Sequence, residues 1–225
     1  MTRRRLRTED LIDRLAADIR PRHVESRIRT RRLCAAAILA IMVPALLLAR
    51  PLRADLPSRL ADGMFVTSVA TSAMIFVTGV LALLIVRISP LSRSWLLLPL
   101  IALGLWLVSE FTSIALDVSR EGWRAFAFET SPQCPLVIGI VGIPIFFAML
   151  GLGRIGLILW RGPTIAVAAL SAFSLPATMF NLFHGLDTGA MVLLWHFGAI
   201  AIFSMTAAFL LNRRIPRIVC DWLAV

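Results

Sequence analysis

Six runs almost free of charge dominate the sequence: 33–49, 64–86, 95–116, 135–153, 164–183 and 190–211, with Glu110 the one acidic residue inside any of them. Each is close to the roughly 20 apolar residues that cross a bilayer as a helix. Unpaired backbone groups are too costly in hydrocarbon for an open strand or a loop, so every run is read as a transmembrane helix. The expected fold class is therefore all-α: a polytopic membrane protein of six transmembrane helices, headed by a short cytoplasmic N-terminal amphipathic helix. A mean hydropathy of +0.85, with no lysine and no tyrosine, places the chain outside the range of soluble domains. Pro44, Pro99, Pro144 and Pro176 fall inside four of the runs and are expected to kink them. The domain reading is 1–32 as an N-terminal segment, 33–211 as the membrane domain and 212–225 as a tail.

The formal charge of +10 comes from arginine alone and is first a topology signal. With both termini in the cytoplasm, 18 arginines fall on that side; loops 50–63, 117–134 and 184–189 hold the other 5. The positive-inside rule favours that orientation, and insertion accounts for most of the basic excess without direct nucleic-acid binding. About thirty residues rich in charge precede the first apolar run, unlike the short leading region of a secretory signal. Cys34, Cys134 and Cys220 are too few and too far apart for a disulfide framework or a zinc ribbon.

Ahead of the first run, Thr8 is a good N-cap, Glu9 and Asp10 place negative charge in the first turn, and Pro21 ends the segment, predicting a helix over 8–20. At 100° per residue Leu11, Ile12, Leu15, Ala16 and Ile19 share an arc of about 140°, leaving acids and arginines on the other face. A helix this short is marginal in water and needs a surface to pack on. The membrane surface is one choice; a groove on a cytoplasmic protein is the other. The helix's own four carboxylates favour the protein groove, because anionic headgroups repel them.

Glu110 and His196 are the polar residues that hydrocarbon tolerates least. Each lies six residues inside the outer end of its run, at a depth of about 9 Å, where a mutual hydrogen bond is expected and a proton- or metal-responsive pair is the alternative. The outer face also gathers Cys134, Asn181, His184 and Asp187, a mixture able to bind a soft metal but without a fixed ligand spacing. The stretch GLGRIG, Gly151 to Gly156, formally matches a dinucleotide fingerprint. It lacks the strand–turn–helix context and reads as small residues at a helix exit. With no catalytic triad, carboxylate pair or phosphate loop, no enzymatic activity and no cofactor are expected.

Taken as a set, TEDLIDRLAAD at 8–18, Cys134 followed ten residues later by Pro144, RGPT at 161–164 and FHGLD…LLWHF at 183–197 resemble the negative-regulator-of-sigma-F family of bacterial membrane anti-sigma factors. The resemblance implies a six-span protein of the bacterial inner membrane that binds an extracytoplasmic-function sigma factor through its N-terminal segment and releases it on stress. It implies Thr8, Glu9, Asp10, Leu11, Ile12, Leu15 and Asp18 as the sigma-binding element, and Cys134 as one of two sensing cysteines. The second cysteine would follow the histidine. Here the positions read His184, Gly185, Leu186, Asp187, with histidine and acid present and the thiol absent. The expected sensory set is Cys134, His184, Asp187, Glu110 and His196, with any metal unknown. A reading of another class, a small transporter or channel with a path through Glu110 and His196, stands beside it.

Overall fold

The structure is a computed structural model that describes residues 36–37, 40–41, 51–88, 94–126, 133–153, 161–185 and 188–214. The N-terminal helix expected over 8–20 and most of the first run lie outside the described residues. Within them the protein is all-helical, with no strand. A short helix α1 (Leu56–Arg59) leads into α2 (Gly63–Ile88); a 3-10 turn (Ser94–Leu97) opens α3 (Leu98–Glu121), which runs into a second 3-10 turn (Gly122–Phe126). Then come α4 (Gln133–Gly153), α5 (Arg161–Phe183) and α6 (Gly189–Met191), followed without a break by a π-helical turn (Val192–Phe197) and α7 (Gly198–Arg214). Five stretches are long and apolar enough to cross a membrane: Gly63–Val86, Ser94–Phe126, Gln133–Gly151, Gly162–Phe183 and Gly189–Leu211.

α5 is the centre of the bundle, packed against α2, α4 and α7. It buries 83% of its most apolar stretch, against 22% to 50% in the other four. Two of its buried hydroxyls bond back to their own helix: Ser174 Oγ donates to the Ser171 carbonyl at 2.8 Å and Thr178 Oγ1 to that of Ser174 at 2.9 Å. Such bonds satisfy a hydroxyl without a partner helix, which suits a water-poor interior. One bond links α2 to α5, between the Ser72 and Thr178 hydroxyls at 2.6 Å. Two helical turns further along, the helices approach so closely that a Cβ on Gly79 would lie 1.7 Å from Ser171 Oγ. Phe146, Phe173 and Phe203 stack across α4, α5 and α7 at ring separations of 6.2 and 5.2 Å. The large exposed side chains point away from this core, Leu105 and Val108 on α3 and Ile140 and Phe147 on α4 among them. Apolar residues on the outside and small polar ones within suit a solvent of lipid.

Two details differ from expectation. Pro99 does not interrupt a helix; it sits in the first turn of α3, where its missing N–H leaves no bond unmade. Pro144 and Pro176 do lie inside α4 and α5. α3 also continues past 116, through Asp117, Ser119 and Arg120, into what hydropathy assigned to a loop. It stops at Gly122, whose φ of +61° only glycine adopts easily. Helical hydrogen bonding outlasts the apolar band because exposed polar residues past a membrane boundary still form helix.

Candidate functional site

Residues 51–62, 117–126, 184–185 and 188–189 meet at one end of the bundle. The backbone N–H of Arg53 donates to the Leu182 carbonyl at 3.1 Å, and its guanidinium donates to the His184 carbonyl at 3.2 Å. The same guanidinium grips both carboxylate oxygens of Asp55 at 2.6 Å. This fork holds the Asp55 carboxyl well below the usual carboxylate range, with Arg59 adding a weaker contact at 3.4 Å. On the other side Asp117 Oδ2 accepts from the backbone N–H of Gly189 at 3.1 Å, tying the start of α6 to α3. Gly189 lies flush on α3: a Cβ there would stand 2.9 Å from Ser113 Cβ and 3.0 Å from the Glu110 carbonyl. Thr188 caps the following turn, its hydroxyl accepting from Met191 N–H at 3.4 Å.

Between these ties is a cavity of about 130 Å³, open towards the loops and walled by α2, α3, α5 and α6. Glu110, only 2% exposed, lies at its inner end and accepts a hydrogen bond from the Ser68 hydroxyl of α2. Along α3 the cavity face continues through Ser113, Asp117 and Arg120, spaced so that one helix face carries all four. Asn181 of α5 closes the inner end, while Asp62 and Arg59 stand across the mouth. Asp62 also caps α2, accepting from Met64 N–H at 3.0 Å.

The hydrogen bond expected between Glu110 and His196 is not formed. Glu110 bonds to Ser68, and neither ring nitrogen of the fully buried His196 has a hydrogen-bond partner. The physical reason is azimuth: α3 packs chiefly on α2, and His196 turns towards α5. There Phe180 stands between the two histidines, stacked on His184 at 5.6 Å and meeting His196 edge-on at 6.0 Å. The π-turn that carries His196 is a local irregularity of a kind concentrated at functional positions. Cys134 is fully buried in the first turn of α4 and is in no disulfide. Asp187 and the residues from Thr8 to Asp18 that were expected to bind sigma lie outside the described residues. Among the described residues no group of three histidine, cysteine or acidic side chains is placed to hold a metal ion.

Ser68, Ser113, Asp117 and Arg120 were not singled out from the sequence. The signal was present in part: continuing the helical spacing from Glu110 past the hydropathy boundary gives Ser113, Asp117 and Arg120 on one face. Ser68 carries no such mark, since only the packing of α2 on α3 brings it to the carboxylate.

Residues 15–216 match the family model described as negative regulator of sigma F. The chain belongs to this family. No curated protein and no solved structure matches it. The matched region includes Cys134, Glu110, Asn181, His184 and His196. It starts at Leu15, so of the N-terminal element only Leu15 and Asp18 fall within it.

Proposed function

We propose that this protein is a membrane-embedded anti-sigma factor that acts by binding, without catalysis. Its N-terminal segment sequesters an extracytoplasmic-function sigma factor on the cytoplasmic face of the bacterial inner membrane, and an envelope, metal or oxidative stress signal releases it. Family membership over residues 15–216 is the observation that carries the reading. The arginine distribution supports the orientation, and the meeting of residues 51–62, 117–126, 184–185 and 188–189 at one end suits an up-and-down order of the helices. In this reading 8–20 is an amphipathic helix whose Leu11, Ile12 and Leu15 enter a groove on sigma, with Thr8, Glu9, Asp10 and Asp18 at its acidic rim. A path for transport through Glu110 and His196 gains less support, because the two residues take different neighbours.

Replacing Leu11 and Leu15 together by Asp tests the binding element. The expected result is loss of sigma co-purification by about two orders of magnitude, with membrane insertion unchanged. Retention of sigma by the double variant overturns the assignment. For the sensory face, Cys134→Ser and His184→Ala are each expected to shift the dose of thiol-reactive metal or oxidant that induces the target genes. An unchanged dose response in both removes that face from the mechanism.

A further inference from the structure

Arg53 reaches the end of α5 at carbonyls that a helix leaves open. The last carbonyls of a helix have no donor of their own. At this end the Phe180 carbonyl still takes the His184 N–H at 2.9 Å, whereas the Leu182 carbonyl is met by the Arg53 N–H at 3.1 Å and the His184 carbonyl by its guanidinium at 3.2 Å. A cation placed there also faces the negative end of the helix dipole. The Arg53 side chain is 5% exposed, and its guanidinium carbon stands 5.8 Å from the centre of the Phe65 ring of α2.

Apolar packing adds little to this attachment. Leu52 and Leu60 are 49% and 57% exposed, and α1 between them buries none of its residues. Within itself the segment is tightly bonded. Asp55 is forked onto Arg53, the Arg53 and Asp55 carbonyls accept from Leu56 N–H and Arg59 N–H at 3.1 and 3.0 Å, and Asp62 caps α2. A stiff piece of chain held to α5 through one charged side chain is a strap: when that side chain lets go, the whole piece is free to shift.

The two ends of the strap lead to the two parts that a regulator of this kind has to connect. Pro51 follows the first apolar run, 33–49, with one residue between, and the N-terminal segment precedes that run. Read as a helix, the run is about 26 Å long, so a small displacement at one end is carried to the other. At the other end of the strap is His184, one residue past the end of α5. Its ring stacks on Phe180 with a buried Nδ1 that has no hydrogen-bond partner among the described residues, and its carbonyl is the one the guanidinium holds. A ligand that takes Nδ1 has to lift the ring from Phe180, and the carbonyl beside it belongs to no helical turn that would keep it in place.

We propose that Arg53 is a positioning residue that straps the first apolar run to the outer end of α5, and that a change at His184 loosens the strap and with it the hold of the N-terminal segment on its partner. The coupling presupposes that this segment holds sigma, as proposed above. An unstimulated anti-sigma factor holds its sigma, and the strap is closed in the structure, so opening it by substitution should imitate the signal.

The test uses the tagged full chain in membranes of uninduced cells, with the sigma factor that co-purifies quantified by mass spectrometry. Arg53→Gln is expected to retain at least about fivefold less sigma than the unaltered chain, and Arg53→Lys, which keeps the charge but not the fork, to show a smaller loss. Arg124→Gln, which removes a charge from the same face, should retain it fully. Amide exchange separates a strap from general unfolding: in the Arg53 variants it should rise at 53–62 and 182–185 and stay unchanged in the middle of α2 and α5. Full retention of sigma by both Arg53 variants, while the Leu11→Asp, Leu15→Asp double variant loses it, overturns the strap and leaves the sigma reading standing. Loss of sigma only in a variant whose exchange rises throughout α2 and α5 overturns it as well. Retention by the Leu11→Asp, Leu15→Asp variant removes the sigma-binding element itself, and the strap falls with it.

Discussion

The middle of the bundle and its polar end solve the same problem in opposite ways. Around α5 the Ser174 and Thr178 hydroxyls donate within their own helix, Ser72 bonds across to Thr178, and the helices meet through close contact, as at Gly79 against Ser171. At the polar end the bonds run between elements: Arg53 to Leu182 and His184, Ser68 to Glu110, Asp117 to Gly189. Contact packing in the middle leaves one tight arrangement, since a packed interface does not deform continuously. Hydrogen bonds between elements can be exchanged for bonds to a ligand or water, so the polar end is where a signal has something to change.

Three substitutions sharpen that contrast. Gly79→Val is expected to have the largest effect, because its Cβ meets both Oγ and Cβ of Ser171. It should destabilise the folded bundle by roughly 1–3 kcal/mol or prevent a monodisperse preparation, read by thermal unfolding in detergent. Normal stability in this variant means that the α2–α5 crossing is looser than described. Next, Ser68→Ala removes an inter-helix donor to a buried carboxylate and should cost about 1–2 kcal/mol, whereas Thr112→Ala removes only a bond to the Val108 carbonyl of the same helix and should cost less than about 0.5 kcal/mol. Equal effects would erase the distinction between a bond that joins two helices and one made within a single helix.

The smallest expected effect concerns pH. The Arg53 fork holds Asp55 below its ordinary value of 3.8, so its contribution is fully present above that value and is lost as the pH falls through the lower folded value. Amide exchange at 182–185, reported through the Arg53 ties, should therefore be flat between about pH 5 and pH 8 after correction for intrinsic rates. It should rise only in stronger acid, and Asp55→Asn should abolish that rise. A transition near neutrality in these amides would show that another group governs the end of the bundle.

Hydropathy counts residues along one axis, and it located the five spans closely: 64–86 became Gly63–Ile88, and 164–183 became Arg161–Phe183. It misplaced the end of α3 because the apolar band ended before the helix did. Glu110 was identifiable because a lone carboxylate in a span is costly wherever it points. Its partner was not: depth counted from the span ends put Glu110 and His196 level, yet the carboxylate pairs with Ser68 and His196 faces Phe180.

The sequence by itself determined the helical class, the approximate limits of the five described spans, the arginine asymmetry and the family to which the chain belongs. These depend on composition along the chain and on the cost of bare backbone in lipid, neither of which needs neighbours to be known. Only the tertiary structure decided that α5 is central, that Gly79 and Gly189 sit where a side chain does not fit, and that Glu110, Asn181, Asp117 and Arg120 line one cavity. Those facts turn on the order and rotation of helices around the bundle, set by many small contacts at once, which no periodicity within a single helix encodes.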